Sequence, residues 1–348
     1  MPLSLLAYRR AEGQADSSRR PVKPGSIEGF ASPTSRHLMR RVQYYSYGPA
    51  TAMQLDDYTL SPPEEQEVIV RVSAAAINPI DWKVRNGELR MVTGNSFPRA
   101  LGSDFSGIIT AIGARVNELA PGDEVIGMVP LKQSGAIAEF VVTTDSLIAR
   151  KPTNLSHEEA ACLPTPFVTA WNALIDKGNL HPGMSVFING CSGAVGSAAA
   201  QLCQMIGANV AGSCSAEAFE RMHKAGLAEL HDYRSIDFSL LQRQFDMVLD
   251  ASGHLGLAQG RQLLKRGGRF VDIHPTPAKF LQSVFNSTLK VVVCKPRKEI
   301  LKKVAVAAQD GLLKTTVGAS VPLKAAIDLL AQLENGKRLG GKGVVVMG

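Results

Sequence analysis

The residues with the most chemistry in their spacing lie in SVFINGCSGAVGSAAAQLCQMIGANVAGS, positions 185–213. An apolar strand runs into Gly190, Gly193 and Gly196, and an Ala-rich helix begins inside that turn. Backbone N–H groups at a helix start are unpaired and partly positive, so a pyrophosphate can settle on them if no side chain blocks its approach. Glycines give that access. The full G-x-G-x-x-G would occupy 191, 193 and 196, and the first of these is Cys191, a small apolar residue in its simplest reading. Strand before, helix after and a second strand about 20 residues on supply the context a dinucleotide turn needs. Two other readings share these residues. Gly190-Cys191-Ser192 opens like the G-x-S-x-G elbow of hydrolases, although Ala194 stands where its last glycine belongs. A purely structural strand-to-helix turn would also look like this.

At the end of the second strand the residues are Gly212-Ser213-Cys214-Ser215. NAD sites usually present a carboxylate there to the ribose diol, and none is present. Ser213 and Ser215 can hydrogen-bond a 2′-phosphate, and Arg221, Lys224 or Arg234 can add charge if they point inward; a solvated helix face is the equal alternative for each. NADPH is the expected cofactor.

The elements that must position these groups follow two patterns. From 66 to 145, short β-rich runs such as QEVIVRVSAAAI, GIITAIG and AIAEFVVTTDSL are separated by Gly, Pro and Asp turns, as in a small barrel or sandwich. After Leu163, strand and helix alternate through SVFI, ANVAGS, FDMVLDAS, GRFVDI and LKVVVC, giving about six parallel strands. From Glu299 come two amphipathic helices and a last strand, GVVVMG. Residues 1–38, rich in Ser, Arg, Pro and Gly, read as a disordered or mis-started extension.

Composition narrows the class. The 348 residues are 45% hydrophobic and 20% charged, enough for two domains with their own cores and no staples. No run reaches the roughly 20 apolar residues of a membrane span. The net charge of +7 comes from 38 basic and 31 acidic residues that are interleaved rather than clustered, which argues against nucleic acid as the partner. The five cysteines form no C-x-x-C pair and read as reduced thiols, hence a cytoplasmic-type compartment. An organelle replaces it if residues 1–38 are a transit peptide, a reading their Arg and Ser favour and Glu12, Asp16 and Glu28 oppose.

Seven ordered blocks, INPIDWKVRNG, GSDFSG, PGDEVIG, GAIAEFV, LPTPFVTAW, GCSGAVG and HDYRSIDF, resemble the zinc-free quinone oxidoreductase branch of the medium-chain dehydrogenase/reductase superfamily. The likeness covers about residues 39–348. It is similar in spacing to chloroplast-envelope quinone oxidoreductase homologues and mitochondrial reticulon-interacting oxidoreductases. The resemblance implies an α/β protein: a GroES-like β-barrel catalytic domain from 39–162, completed by about 300–348, plus a Rossmann doubly wound parallel sheet from 163–299 that binds NADP. It implies zinc-independent hydride transfer from NADPH to quinones or α,β-unsaturated carbonyls.

By position, Ser192, Gly193, Ala194, Val195 and Gly196 resemble the pyrophosphate turn, and Ser215 and Tyr233 the 2′-phosphate contacts. Asn78 and Thr169 fall where relatives approach the nicotinamide and substrate, the expected catalytic pair, while Gly253 and Ile273 end strands whose loops cover the cofactor. Glu217 departs from the pattern, standing where relatives often carry a basic residue. Zinc-dependent members use a Cys and a His-Glu pair; here GSDFSG has no His-Glu, and no cysteine precedes Cys162, so the expected metal is none. A quinone or enone is electrophilic enough to accept hydride without one. The resemblance allows a homodimer. Two other functions stay open: an NADPH-binding sensor, structural or RNA-associated protein with little turnover, and an enoyl-thioester reductase, for which the Tyr expected after the N-P-x-D block is missing.

Overall fold

The computed structural model describes residues 38–133 and 135–348. Expectations for residues 1–37 lie outside the described residues. The chain divides into two compact units, one built from 38–165, 296–309 and 314–348, the other from 166–295 and 310–313.

In the first unit, β1 (Met39–Tyr44), β2 (Met53–Tyr58) and the two-residue β4 (Arg99–Ala100) form an antiparallel sheet in the order β2-β1-β4. A larger sheet contains β3 (Glu67–Ala76), β5 (Asp104–Ile112), β6 (Glu124–Met128), β7 (Phe140–Thr144) and β8 (Ile148–Arg150). β3 is central: one edge carries β5, while the other pairs with β7 over its first half. Val68, Val70 and Val72 pack into a core with Tyr44, Phe105 and Ile109, while Ile69 and Ala74–Ala76 are buried too, as a central strand covered on both faces requires. The helix Pro79–Arg85 follows β3; Asn78 is its N-cap, and Asn78 and Asp81 form a reciprocal capping box.

The second unit is a six-stranded, all-parallel sheet: β9 (Ser185–Asn189), β10 (Asn209–Cys214), β11 (Glu229–Asp232), β12 (Phe245–Asp250), β13 (Leu264–Asp272) and β14 (Leu289–Val291), in the order β11-β10-β9-β12-β13-β14. β9 lies between β10 and β12, so the order reverses there, and such a switch point opens a crevice at the carboxyl ends of the strands. Central strands buried on both faces need continuous apolar runs, and Val186, Phe187, Ile188, Met247, Val248 and Leu249 are sealed. LKVVVC forms a strand only over Leu289–Val291, and GRFVDI extends backward to Leu264.

The chain then returns to the first unit's large sheet with β15 (Val317–Pro322) and β16 (Lys342–Val346). β16 runs antiparallel to the second half of β3, Val344 opposite Ala76. β15 alternates only weakly, Val317, Ala319 and Val321 between Gly318, Ser320 and Pro322, and only one strand was expected after residue 299.

Candidate functional site

In the second unit, the expected cofactor residues follow successive strand ends: Ser192–Gly196 after β9, Ser213 and Ser215 at β10, Tyr233 after β11, Gly253 after β12 and Ile273 after β13. Three glycines shape the central turn for three reasons. Gly190 has φ +83°, and a Cβ there would lie 3.0 Å from Ser252. At Gly196 a Cβ would lie 2.1 Å from the Gly190 carbonyl oxygen, so only glycine lets the helix start this close to the strand. At Gly193 a Cβ would meet only that oxygen, at 3.5 Å. Its bare Cα therefore keeps the approach open rather than relieving a clash. Gly193 caps the 13-residue helix Ala194–Ile206 without any side-chain hydrogen bond to the helix's first N–H groups. Open donors, a helix dipole and an unobstructed approach fit a dinucleotide pyrophosphate.

Cys191 replaces the motif's first glycine at no steric cost because Gly212, on β10, leaves room: a Cβ at 212 would lie 2.8 Å from the Cys191 sulfur. The thiol is fully buried, and burial pushes its ionisation well above the usual thiol range, so Cys191 is packing and not a nucleophile.

A buried relay supports the turn from below. Ser213 Oγ donates to Asn189 Oδ1 at 2.6 Å, and Asn189 Nδ2 donates to Asp250 Oδ1 at 2.9 Å. The Ser213 carbonyl accepts from the Gly190 and Cys191 N–H groups at 3.0 and 2.9 Å. Asp250 also accepts from the backbone N–H groups of Ser252, Gly253 and Leu255, fixing the loop after β12. Ser213 is fully sealed, so it holds the turn in place rather than offering its hydroxyl outward. Asn189 and Asp250 escaped the sequence reading; an Asn and an Asp at the ends of neighbouring apolar strands were the available signal.

Of the three basic residues after β10, Arg221 points at the turn, donating to the Ser192 carbonyl at 3.2 Å. Arg234 stacks over the exposed Tyr233 ring at 5.2 Å and pairs with Glu217 at 3.0 Å. Lys224 pairs with Glu220 on an exposed helix surface, the solvated-face alternative. Glu217 is held down to about 2 by hydrogen bonds from its own backbone, then Arg234 and Ser215, so it remains charged and competes for the cation a 2′-phosphate would use.

The first unit contains a buried polar cluster around Asn78. Asn78 Nδ2 donates to Asp104 Oδ2 at 3.0 Å and to the Ala76 carbonyl at 3.3 Å, while Lys342 donates to Asn78 Oδ1. Asp104 also accepts from Thr165 N at 3.0 Å and Thr165 Oγ1 at 2.6 Å. Asp81 accepts from Asn78 N at 2.7 Å and from Ser103 Oγ at 3.2 Å. Burial, with Asp104 nearby, raises the Asp81 carboxyl to about 7; burial likewise raises Asp104 against the pull of Lys342. Both amide hydrogens of Asn78 are engaged, so its side chain is a keystone of the cluster with no donor left over. Thr169 is buried in the helix Pro164–Trp171.

Ser103 and Asp104 lie in GSDFSG, the block that has no His-Glu pair. The donors present are an amide, two hydroxyls and carboxylates saturated by hydrogen bonds, with an ammonium beside them. That set does not suit Zn²⁺, which takes thiolate, imidazole or free carboxylate. A Ser106–His157–Glu124 chain, 2.8 and 3.4 Å, has the outline of a hydrolytic relay, but Ser106 is fully buried and its hydroxyl donates to the Val125 carbonyl.

Comparison with known proteins agrees with this geometry. The family described as alcohol dehydrogenase GroES-like domain matches residues 64–153, and the one described as zinc-binding dehydrogenase matches 225–345. The chain is 30% identical over 336 residues to 2-methylene-furan-3-one reductase of Solanum lycopersicum, covering 90% of this chain and 82% of that protein. It is 27% identical over 319 residues to the chloroplast envelope quinone oxidoreductase homolog of Arabidopsis thaliana, with 87% and 97% covered. The solved quinone oxidoreductase of Coxiella burnetii superposes with a TM-score of 0.80 at 28% identity, covering 88% of this chain and 99% of that one. A GroES-like unit, a doubly wound sheet with a dinucleotide turn, and quinone oxidoreductase and enone reductase relatives matched over 82% to 99% of their length make this chain a nicotinamide-dependent oxidoreductase of the quinone oxidoreductase branch of the medium-chain dehydrogenase/reductase superfamily.

Proposed function

We propose that the protein is an NADPH-dependent, zinc-independent reductase of quinones or α,β-unsaturated carbonyls. The observation that carries the cofactor choice is the end of β10, where Ser215, Arg221, Tyr233 and Arg234 gather and the nearby carboxylates Glu217 and Asp232 both lie against Arg234, at 3.0 and 3.9 Å. NAD selection by a carboxylate on the ribose diol has no candidate at the strand end itself. Quinone and enone acceptors are supported by the named activities of the relatives.

In this reading, Ser192–Gly196 hold the pyrophosphate through backbone N–H groups, and Arg221 braces the turn. Gly253 and Ile273 shape the loops along the cofactor, and Asn78 and Thr169 belong to the nicotinamide end. The bound reduced nicotinamide supplies the hydride. The reading assigns catalysis to 39–162 with about 300–348 and cofactor binding to 163–299. A small-molecule acceptor, a cytoplasmic-type compartment and a homodimer complete the reading. Among the described residues no helix is long and apolar enough to cross a membrane.

The test is NADPH oxidation at 340 nm by the full chain against quinones, alkenals and alkenones, with NADH in parallel. NADPH-preferring turnover is expected. Tight NADPH binding with no turnover of any acceptor contradicts the reading and favours a sensor or structural role.

A further inference from the structure

Resting on the reading above, in which the dinucleotide's adenosine half lies at the end of β10, we propose that His274 holds the nicotinamide half. Its outward ring nitrogen, Nε2, hydrogen-bonds the carboxamide or the ribose hydroxyls. The resemblance pointed to Gly253 and Ile273 in this part of the chain and to no side chain that could make a polar contact.

The strand order gives the cofactor its direction. β10 and β12 flank β9 on opposite sides. With the pyrophosphate at the turn after β9 and the adenosine half toward β10, the other half has the carboxyl ends of β12 and β13 to lie on. The loop after β12 is joined to the turn directly: Asn189 Nδ2 donates to Ser252 Oγ at 2.7 Å, and a Cβ on Gly190 would lie 3.0 Å from Ser252 Cβ. One residue further, Gly253 carries the His274 ring. A Cβ at Gly253 would lie 3.0 Å from the ring's Cγ and 3.1 Å from its Cδ2 and Nδ1, so a bare Cα, at φ +80°, is what seats the ring.

The main chain of His274 is clamped on both sides. Its N–H donates to Asp272 Oδ1 at 2.7 Å, and its carbonyl accepts from Lys279 Nζ at 3.2 Å. Lys279 Nζ also pairs with Asp272 Oδ2 at 2.6 Å, and the carboxylate is only 2% exposed. A buried carboxylate and its ammonium partner are thus committed to fixing one loop residue. The lysine is itself held, because its backbone N–H donates to Thr276 Oγ1 at 3.2 Å, the cap of the helix Pro277–Phe285.

The ring has a closed edge and an open one. Nδ1 is buried, 3.9 Å from Asp272 Oδ1, while the side chain as a whole is 30% exposed, which leaves the Cε1–Nε2 edge facing out. A neutral imidazole offers Nε2 either as donor to a carboxamide oxygen or as acceptor from a ribose hydroxyl. A seated ring on a pinned backbone is a hydrogen-bonding group prepared before its partner arrives. A histidine that only meets solvent needs neither the seat nor the clamp.

The test is titration calorimetry on the full chain with two probes, NADPH and adenosine 2′,5′-bisphosphate, which has the adenosine half and the 2′-phosphate but no nicotinamide. His274→Leu keeps bulk over Gly253 and removes both ring nitrogens. It should weaken NADPH roughly ten-fold and leave the bisphosphate within about two-fold of wild type. His274→Gln, whose amide can stand in for Nε2, should recover most of that loss. In NMR spectra of histidine-labelled wild type, the His274 ring signal should move on adding NADPH and stay in place on adding the bisphosphate. Unchanged NADPH affinity in the Leu variant, or an equal loss for both probes, overturns the proposal. If His274→Leu does not fold, His274→Ala carries the same comparison. A wild type that binds neither probe removes the dinucleotide reading and this inference with it, whereas a wild type that binds both, matched by the Leu variant, removes this inference alone.

Discussion

The glycine turn after β9 and the Asn78 cluster are made in opposite ways. The turn works by lacking side chains: Gly193 is bare toward the helix start, and Gly196 lets backbone pass within 2.1 Å of where a Cβ would sit. The cluster works by filling space with polar side chains until almost every donor and acceptor is satisfied. A site for a large anionic cofactor needs open, oriented N–H groups that cost no reorganisation. A site that steadies charge at a reacting atom needs fixed, desolvated dipoles, and saturation fixes them. The two should therefore respond differently to substitution: the turn to added bulk or charge, the cluster to lost partners.

The largest expected effect comes from Gly193→Asp. The position has room for a Cβ, so the protein should fold with its melting temperature within a few degrees of wild type. A carboxylate facing the pyrophosphate should nevertheless weaken NADPH binding by at least roughly 100-fold. Titration calorimetry alongside thermal melts separates the two, and unchanged affinity would remove the turn from the cofactor site. Gly196→Ala inverts the pattern, with backbone overlap costing about 3 kcal/mol of stability.

Asp104→Ala breaks the cluster instead. It leaves Thr165, Asn78 and Lys342 facing a void in a fully buried setting, which should destabilise the fold by about 3–5 kcal/mol in denaturant melts. A loss under 1 kcal/mol would mean the cluster is not the rigid unit described.

Asp81 supplies a pH signature. Its carboxyl is raised from about 4 unfolded to about 7 folded, so the folded state holds the proton more tightly. Any stability linked to that proton is complete below pH 4 and is lost as pH rises to 7, at most about 4 kcal/mol for this shift. Asp81→Asn should flatten that part of the stability curve relative to wild type. Parallel curves for the two proteins between pH 4 and 7 would contradict the assignment.

The smallest effect is at Glu217, which is fully exposed and paired with Arg234. Glu217→Gln frees Arg234 for a 2′-phosphate and should tighten NADPH roughly three- to ten-fold while leaving NADH unchanged. Equal changes for both cofactors would separate Arg234 from phosphate recognition.

How much of this was legible in the sequence follows the same contrast. The turn could be read because its signal is local: three glycines between an apolar strand and an Ala-rich helix, with the next strand at the right distance. Cys191 looked like a flaw in the motif until Gly212, on the neighbouring strand, was seen to make space for it. The cluster joins residues far apart in the chain, Asn78, Asp104, Thr165 and Lys342, and only the β3–β16 register reveals that Lys342 stands opposite Asn78. Read alone, GKGVVV is a strand with a polar start. β15 alternates with small or turn-forming residues, Gly318, Ser320 and Pro322, between Val317, Ala319 and Val321, a signal weaker than a run of Val or Ile.

The most direct test of the central claim is reduction of a conjugated enone with NADPH deuterated at nicotinamide C4, using each stereoisomer in turn, followed by mass and NMR analysis of the product. The account predicts one deuterium at the product's β-carbon from one of the two isomers, and none there when unlabelled NADPH is used in heavy water. Product carrying no cofactor-derived deuterium, or label that enters from solvent at that carbon, would contradict direct hydride transfer to the acceptor.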